Sequence, residues 1–443
     1  MLYLLPEIYQ MKKNIRSSRT DLDRLRLDLL KKQISNIYEN IPFYKETFKR
    51  LNIVPDDFKS MNDLGKLPII IKEDIRNNRE KFFNEKMNPE KCFHSFSSGS
   101  TGEPFSSYFD KRCWMRKKYL SKLRARFSCG MRPGERVAIF ESEPAEDLKR
   151  LNRQQPFRDL FLKVRYFSIF DDINALVKRL VEFRPQNANG PQSFFFHFAR
   201  EIEETNQTLS FLKRIYTSSE YGQSHAAQFI KNVLKVEIYD IYGSTEFKEV
   251  AWECEHHQGY HINEDDVICE VLNGNNPVMP GEIGDIVLTD LRNHAMPLIR
   301  YRIHDRGKML QEPCPCGRAF SVMLPVAGRA SEYIRLPDGE KISPYRFTTA
   351  IEKFKGLLQY QLIQKSGTDI LIKVILDENT GNETGMNIKK TIKNITRGLM
   401  RVTVRKTDKI LPEENGKFKV VKNMLQEKPS PEKNTEKIMQ ANL

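Results

Sequence analysis

The 443-residue chain has no apolar run long enough to cross a bilayer, and Met1–Pro6 is too short for a secretory leader. A membrane span and export are therefore not expected. Cysteine is sparse: seven are scattered, apart from Cys314 and Cys316, so no disulfide framework is expected and a reducing cytoplasmic setting is the natural reading. No internal repeat is visible. No Gly-Lys-Ser or Gly-Lys-Thr follows the glycine-rich stretch near residue 100, which excludes a Walker loop. Lysine and arginine bring the net charge to +14 but form no basic patch interleaved with aromatics, so nucleic acid is not an expected partner. Such a surplus suits anionic small molecules or an acidic carrier protein, and equally an ordinary solvated surface.

What is present is the composition of a soluble globular protein, 39% hydrophobic and 29% charged, too long for one core. The stretch Ser97-Ser98-Gly99-Ser100-Thr101-Gly102 stands out because it crowds four hydroxyls and two glycines into six positions. Such a loop can turn amides and hydroxyls onto an anion, above all a phosphate, although taken alone it also reads as a plain turn.

Around it the periodicity predicts helices over 20–41, 113–127, 174–183, 193–204 and 225–234. Strands are expected over 136–140, 213–217 and 236–242, and strand alternating with helix argues for α/β layers. Strands over 267–272, 283–291 and 297–304 follow, the last delivering Asp305 at its end. Beyond Gly328-Arg329 a hairpin over 332–343 opens a different texture. A helix near 345–354, strands over 358–364 and 370–376, a helix over 387–399 and a strand over 401–406 make a small α+β domain. The expected division is a large domain over 1–330, a small lid domain over 331–425 and a disordered tail over 426–443.

Several separated stretches suit one ligand: the 97–102 loop, Ser218-Ser219-Glu220, Tyr242-Gly243-Ser244-Thr245-Glu246, Arg300-Tyr301-Arg302 with Asp305, Gly328-Arg329 and Asn415-Gly416-Lys417. In this order they resemble the adenylate-forming (AMP-binding) enzymes, in the branch of phenylacetate–coenzyme A ligases and capsular polysaccharide biosynthesis proteins. Asn40-Ile41-Pro42-Phe43-Tyr44, Leu67-Pro68 with Lys72-Glu73-Asp74, Tyr260-His261-Ile262 and Pro313-Cys314-Pro315-Cys316-Gly317-Arg318 carry the resemblance over residues from about 35 to 420.

The resemblance implies a large layered α/β N-terminal domain with a β-rich portion and a small mobile C-terminal domain. It implies a ligase that joins a carboxylic acid to the α-phosphate of ATP, releases pyrophosphate, and passes the acyl group to a thiol, coenzyme A first among acceptors. An amine, a hydroxyl or a carrier-protein thiol is the alternative acceptor, and a nucleotide-binding protein without turnover is the alternative class. By resemblance, the 97–102 loop would hold the β- and γ-phosphates, Thr245 the AMP phosphate and Glu246 a Mg²⁺ ion. Tyr242 and Gly243 would lie on one side of the adenine, with Ser219 and Glu220 on the other, and Ser244 would be a further cofactor-binding residue. Asp305 would take the ribose hydroxyls, and Arg329 would precede a hinge at Ser331-Glu332. Lys417, with Lys419 as fallback, would bridge carboxylate and phosphate.

Cys254, His261, Cys314 and Cys316 offer the donor set of a closed structural zinc site, with His256 or His257 as alternatives to His261 and free thiols as the duller reading. Two departures bear on the substrate. Phe105 stands where broader relatives often carry lysine, and Glu141–Glu146 replaces the glycine- and aromatic-rich stretch of phenylacetate ligases, which puts phenylacetate itself in doubt. His197, Tyr221, Phe247 and Trp252 are the pocket-lining candidates.

Overall fold

The computed structural model describes residues 5–97, 105–153, 163–326, 332–381, 383–413, 416 and 418–425. Contacts divide the chain into two compact units. One holds Met1–Ala327 together with Pro412–Phe418, and the other holds Gly328–Leu411 with Lys419–Leu443.

In the first unit, α1 (Leu5–Ile15) precedes the long α2 (Arg19–Asn40) and α3 (Pro42–Leu51). Ser18 caps α2 by accepting from the Asp21 amide, and Pro42 sits in the first turn of α3, where its missing N–H costs nothing. After α4 (Lys72–Asn77), the strands β1 (Phe93–Ser97) and β2 (Phe105–Phe109) pair antiparallel as a separate hairpin. The helix expected over 113–127 comes in three parts: α5 (Lys111–Met115), a π-helical turn (Arg116–Leu120) and α6 (Ser121–Ser128).

A twelve-stranded sheet follows. Its parallel half is β3 (Arg136–Glu141), β4 (Lys163–Ser168), β5 (Asn187–Gly190), β6 (Arg214–Ser218) and β7 (Glu237–Ser244). The connections carry α7 (Ala145–Arg153), α8 (Ile173–Phe183), α9 (Gln192–Glu204) and α10 (Ser224–Leu234). Its antiparallel half is β8 (Lys248–Glu253), β9 (Tyr260–Ile262), β10 (Val267–Asn273), β11 (Asn276–Pro277), β12 (Gly284–Asp290), β13 (Tyr301–Met309) and β14 (Val322–Val326). The order is β11-β10-β12-β13-β14-β9-β8-β7-β6-β5-β3-β4. Parallel strands end together, so Glu141, Ser218 and Ser244 share the carboxyl edge, where layered α/β folds place ligands.

The layers are sealed by side chains of the kind the periodicity marked. Phe140 meets Phe167, Phe194, Phe195 and Phe198 at ring separations of 4.7–6.5 Å. The Phe194-Phe195-Phe196 run of α9 is core. Phe247 and Trp252 are also fully buried in the core, which corrects their candidacy as pocket lining.

In the second unit β15 (Ile334–Arg335) pairs with β16 (Lys341–Ile342), and α11 (Pro344–Ile351) follows. A four-stranded sheet then runs β19-β18-β17-β20, from β17 (Leu357–Gln364), β18 (Asp369–Leu376), β19 (Arg401–Lys406) and β20 (Val421–Asn423), with α12 (Glu383–Ile395) before β19.

Three boundaries differ from expectation for backbone reasons. The helix expected to reach 399 stops at Ile395, because Arg397 and Gly398 both take left-handed conformations, at φ 53° and 76°. The strand expected over 297–304 begins only at Tyr301, after a left-handed Arg300 at φ 52°. It runs on to Met309, so Asp305 lies within it rather than at its end. β7 continues through Ser244, taking Gly243 and Ser244 into the strand.

Candidate nucleotide site and cysteine–histidine cluster

Asp305 owes its position to an irregularity. Between the pairs Asp285–Arg306 and Val287–Arg302 the β12–β13 register shifts, and the bulged segment contains His304, at φ 64°, and Asp305. A bulge re-aims side chains, and bulges concentrate beside functional sites. The Asp305 carboxylate accepts from the Tyr242 hydroxyl at 2.8 Å. β7 and β13 are separated by β8, β9 and β14 in the sheet order, so this contact requires the sheet to curl back on itself.

A second irregularity lies at the β7–β8 turn, where the register shifts between Tyr242 and Gly243. A β-carbon at Gly243 would stand 2.3 Å from the Lys248 carbonyl oxygen, so only glycine fits there. Lys248 itself is left-handed at φ 60°, a strained conformation for a lysine. The turn holds Thr245 and Glu246, and the Tyr301 hydroxyl approaches Glu246 at 3.4 Å. Two site strands thus meet through Tyr242–Asp305 and Tyr301–Glu246.

Ser219, at φ 75°, and Glu220 follow β6 at the same edge. The Glu220 carboxylate accepts from the Ser193 amide and hydroxyl at 2.9 and 2.7 Å, and from the Phe418 amide at 2.7 Å. It thereby anchors the Pro412–Phe418 segment, which belongs to the first unit. A β-carbon at Gly416 would come within 2.9 Å of Ile169 and Ser142, so this segment lies against the residue that follows Glu141. The structure brings together Ser219, Glu220, Tyr242, Gly243, Ser244, Thr245, Glu246 and Asp305 on one edge of one unit. Ser97 ends β1, paired with Phe105. Residues 98–102, Arg329, Ser331, Lys417 and the tail over 426–443 lie outside the described residues, and Lys419 falls in the second unit.

Between these residues sits Asp240, two places before Tyr242. It accepts hydrogen bonds from Thr217 and from Tyr260, the latter at 2.8 Å. Burial, reinforced by Glu253, pushes its carboxyl up to about 7. Nothing in the sequence flags this residue.

The second cluster lies at the β8–β9 end. Cys254, His261, Cys314 and Cys316 offer ligand atoms all within 4.8 Å of one another. Cys254 and Cys314 sulfurs are 3.5 Å apart, and Cys316 Sγ is 3.2 Å from His261 Nε2. His261 Nδ1 lies 3.1 Å from the Phe320 carbonyl, which can only accept. The proton is therefore on Nδ1, leaving the Nε2 lone pair aimed at the thiols, the arrangement of a metal-binding histidine. His257 instead pairs with Glu253 at 3.5 Å and stacks on Tyr239, so His261 is the histidine of this cluster.

A third feature escaped the sequence. Arg116, fully buried in the π-helical turn, binds Glu7 at 2.6 Å, Asp265 at 2.9 Å and Asp266. Arg124 binds Asp265 at 2.7 Å and Lys117 binds Asp290 at 2.6 Å. Surface-type residues in a helical pattern give no signal that they will be buried, so only the fold reveals this network.

Known proteins resemble this chain over most of its length. The family described as the CapK C-terminal domain matches residues 334–424. A phenylacetate–coenzyme A ligase of Thermus thermophilus is 25% identical over 394 residues, covering 84% of this chain and 85% of that protein. The phenylacetate–coenzyme A ligase of Escherichia coli K12 is 25% identical over 398 residues, 82% and 84% covered. Protein CapK of Staphylococcus aureus is 23% identical over 384 residues, 84% and 82% covered. Among solved structures, 2-hydroxyisobutyryl-CoA ligase in its postadenylation state superposes with a TM-score of 0.75 at 18% identity, covering 92% of this chain and 91% of that one. An anthranilate CoA ligase superposes at 0.54, with 14% identity over 76% and 66% of the two chains. The fold is that of the adenylate-forming enzymes, and over most of its length the chain is similar to phenylacetate–CoA ligases and to CapK, at 23–25% identity.

Proposed function

We propose that this protein is an ATP-dependent, AMP-forming ligase that adenylates a small carboxylic acid and passes the acyl group to a thiol, coenzyme A in the first instance. The observation that carries the reading is the meeting of Tyr242 with Asp305 and of Tyr301 with Glu246, at bulged strands on the carboxyl edge of the sheet. Bringing a carboxylate onto a polyphosphate sets like charges against each other, so fixed donors and cations have to offset the repulsion.

In this reading the 97–102 loop takes the terminal phosphates, Thr245 the α-phosphate, and Asp305 the ribose hydroxyls. Ser219 and Glu220 border the adenine opposite Tyr242 and Gly243, and Ser244 is a further cofactor-binding residue. Glu246 would hold Mg²⁺, a hard cation that favours carboxylate oxygen and would offset phosphate charge. Lys417, beside the anchored Phe418, would bring an ammonium group to the reacting carboxylate, and Arg329 would precede the hinge of a small domain over 331–425, less the Pro412–Phe418 segment that belongs to the first unit. Cys254, His261, Cys314 and Cys316 would hold a zinc ion whose four protein ligands leave no open position, so its contribution is structural. The setting is the cytoplasm, where the thiols stay reduced.

A second reading keeps adenylation and changes the acceptor to an amine, a hydroxyl or a carrier-protein thiol. The CapK match over 334–424 favours it, since that segment is the part of the chain expected to meet the acceptor. Pyrophosphate exchange with ATP, Mg²⁺ and a broad acid panel, read with hydroxylamine trapping, tests both. At least one acid is expected to drive exchange, and Asp305→Ala and Glu246→Gln to lower it by about a hundredfold or more, the scale of a lost transition-state contact. No exchange with any acid would favour a binding protein without turnover.

A further inference from the structure

Lys118 and Lys248 flank one indole. Their Nζ atoms lie 4.6 and 5.0 Å from the ring centroid of Trp114, and Lys248 is also 5.3 Å from that of Phe109. Lys118 issues from the π-helical turn, a device that recurs at functional sites, and Lys248 from the strained residue two places after Glu246. Neither makes an ion pair among the described residues. Lys248 donates to the neutral Ser95 hydroxyl, and Lys118 makes no hydrogen bond there. Lys122 adds a third ammonium, held 3.3 Å from Glu249. Burial and repulsion from Lys118 and Lys122, partly offset by Glu246 and Glu249, bring Lys248 down to about 8, and burial with repulsion from Lys122, partly offset by Glu141, takes Lys118 below its usual range. Half-buried cations with no carboxylate in ion-pair contact are costly, and an arriving anion would relieve them. Phe93, stacked on Trp114, and Tyr119, under the Lys118 ammonium, are 39% and 41% exposed and offer apolar surface to a carbon skeleton. Glu141, whose charge acts on Lys118, ends β3 beside Ser142, against which Gly416 packs, so the cluster lies toward the carboxyl edge of the sheet.

Resting on the adenylation reading above, we propose that Lys118 and Lys248 bind a second anionic group on the acid substrate, so that the enzyme selects dicarboxylic or comparably dianionic acids over monoacids of the same length. The aromatic border favours an organic acid over the polyphosphate of ATP, which needs no apolar contact.

The test is pyrophosphate exchange by the full chain with matched pairs: succinate against butyrate, glutarate against valerate, homophthalate against phenylacetate. The diacid is expected to win in kcat/KM by about tenfold or more, the worth of one charge-assisted hydrogen bond. Lys118→Met and Lys248→Met should each shrink that ratio by a similar factor. Should Lys248→Met fail to fold, Lys118→Met carries the test. A ratio near one in the wild type, or a ratio unmoved by Lys118→Met, overturns the proposal. So does a rise in KM for ATP with the acid ratio unchanged, which would assign the amines to the nucleotide. Exchange with monoacids alone defeats this inference and leaves adenylation standing, whereas no exchange with any acid defeats the adenylation reading itself.

Discussion

Asp240 shows what burial does to a single carboxyl. Folding holds its proton up to about pH 7, whereas the unfolded chain releases it near the ordinary aspartate value. The folded form therefore binds more protons across that window, and stability falls as pH rises through it. Below about pH 4 both forms are neutral and the penalty vanishes. Asparagine can keep one acceptor for Thr217 or Tyr260 and never ionises. Asp240→Asn should match the wild type in thermal melts at pH 4 and exceed it at pH 8, with the gap opening by about 1.4 kcal/mol for each pH unit crossed between the two pKa values. A constant gap across that range would show that Asp240 titrates normally.

Among elements, the buried ion network fastens α1 and the π-helical turn to the Asn263–Asp266 loop. Asn14 donates to Asp265 at 2.6 Å, while Arg116 and Arg124 share the same carboxylate. Removing that charge leaves two buried guanidiniums underpaired, which is worse than never having buried them. Asp265→Ala should lower stability by about 3–5 kcal/mol in urea titrations. The cysteine–histidine cluster ties β8, β9 and the loop before β14 in a similar way. Protein purified without chelator should carry one zinc per chain, and Cys316→Ser should lose it and melt earlier. Metal analysis finding no zinc in the wild type would leave four free side chains there.

For the whole molecule, the expected division of labour is two half-reactions with different demands. An ammonium at the reacting carboxylate matters while acyl and phosphate are being joined and not when a thiol displaces AMP. Lys417→Ala should therefore reduce adenylation by about a hundredfold or more while transfer from a supplied acyl-adenylate to coenzyme A changes little. Single-turnover assays of the two steps separate them, and equal losses in both would remove the assigned role.

Much of this was legible in order along the chain. Helices such as Arg19–Asn40 and Gln192–Glu204 and the strand Arg401–Lys406 follow from spacing and capping, because a periodic apolar face has one way to be buried. The cysteine–histidine quartet and the Tyr242–Glu246 and Asp305 stretches were marked by residue type. How Tyr242 and Asp305 come to touch was not, since that depends on sheet curl, on the bulge that contains Asp305 and on the left-handed residues at 300, 304 and 248. Local sequence decided which segments are helix or strand and which side chains have chemistry to offer. Tertiary structure alone decided which lysines gather over one indole, which carboxyl keeps its proton and which arginines are buried. Those outcomes depend on distances between residues separated in sequence, from 20 positions for Asp240 and Tyr260 to 149 for Arg116 and Asp265, and no local pattern encodes those distances.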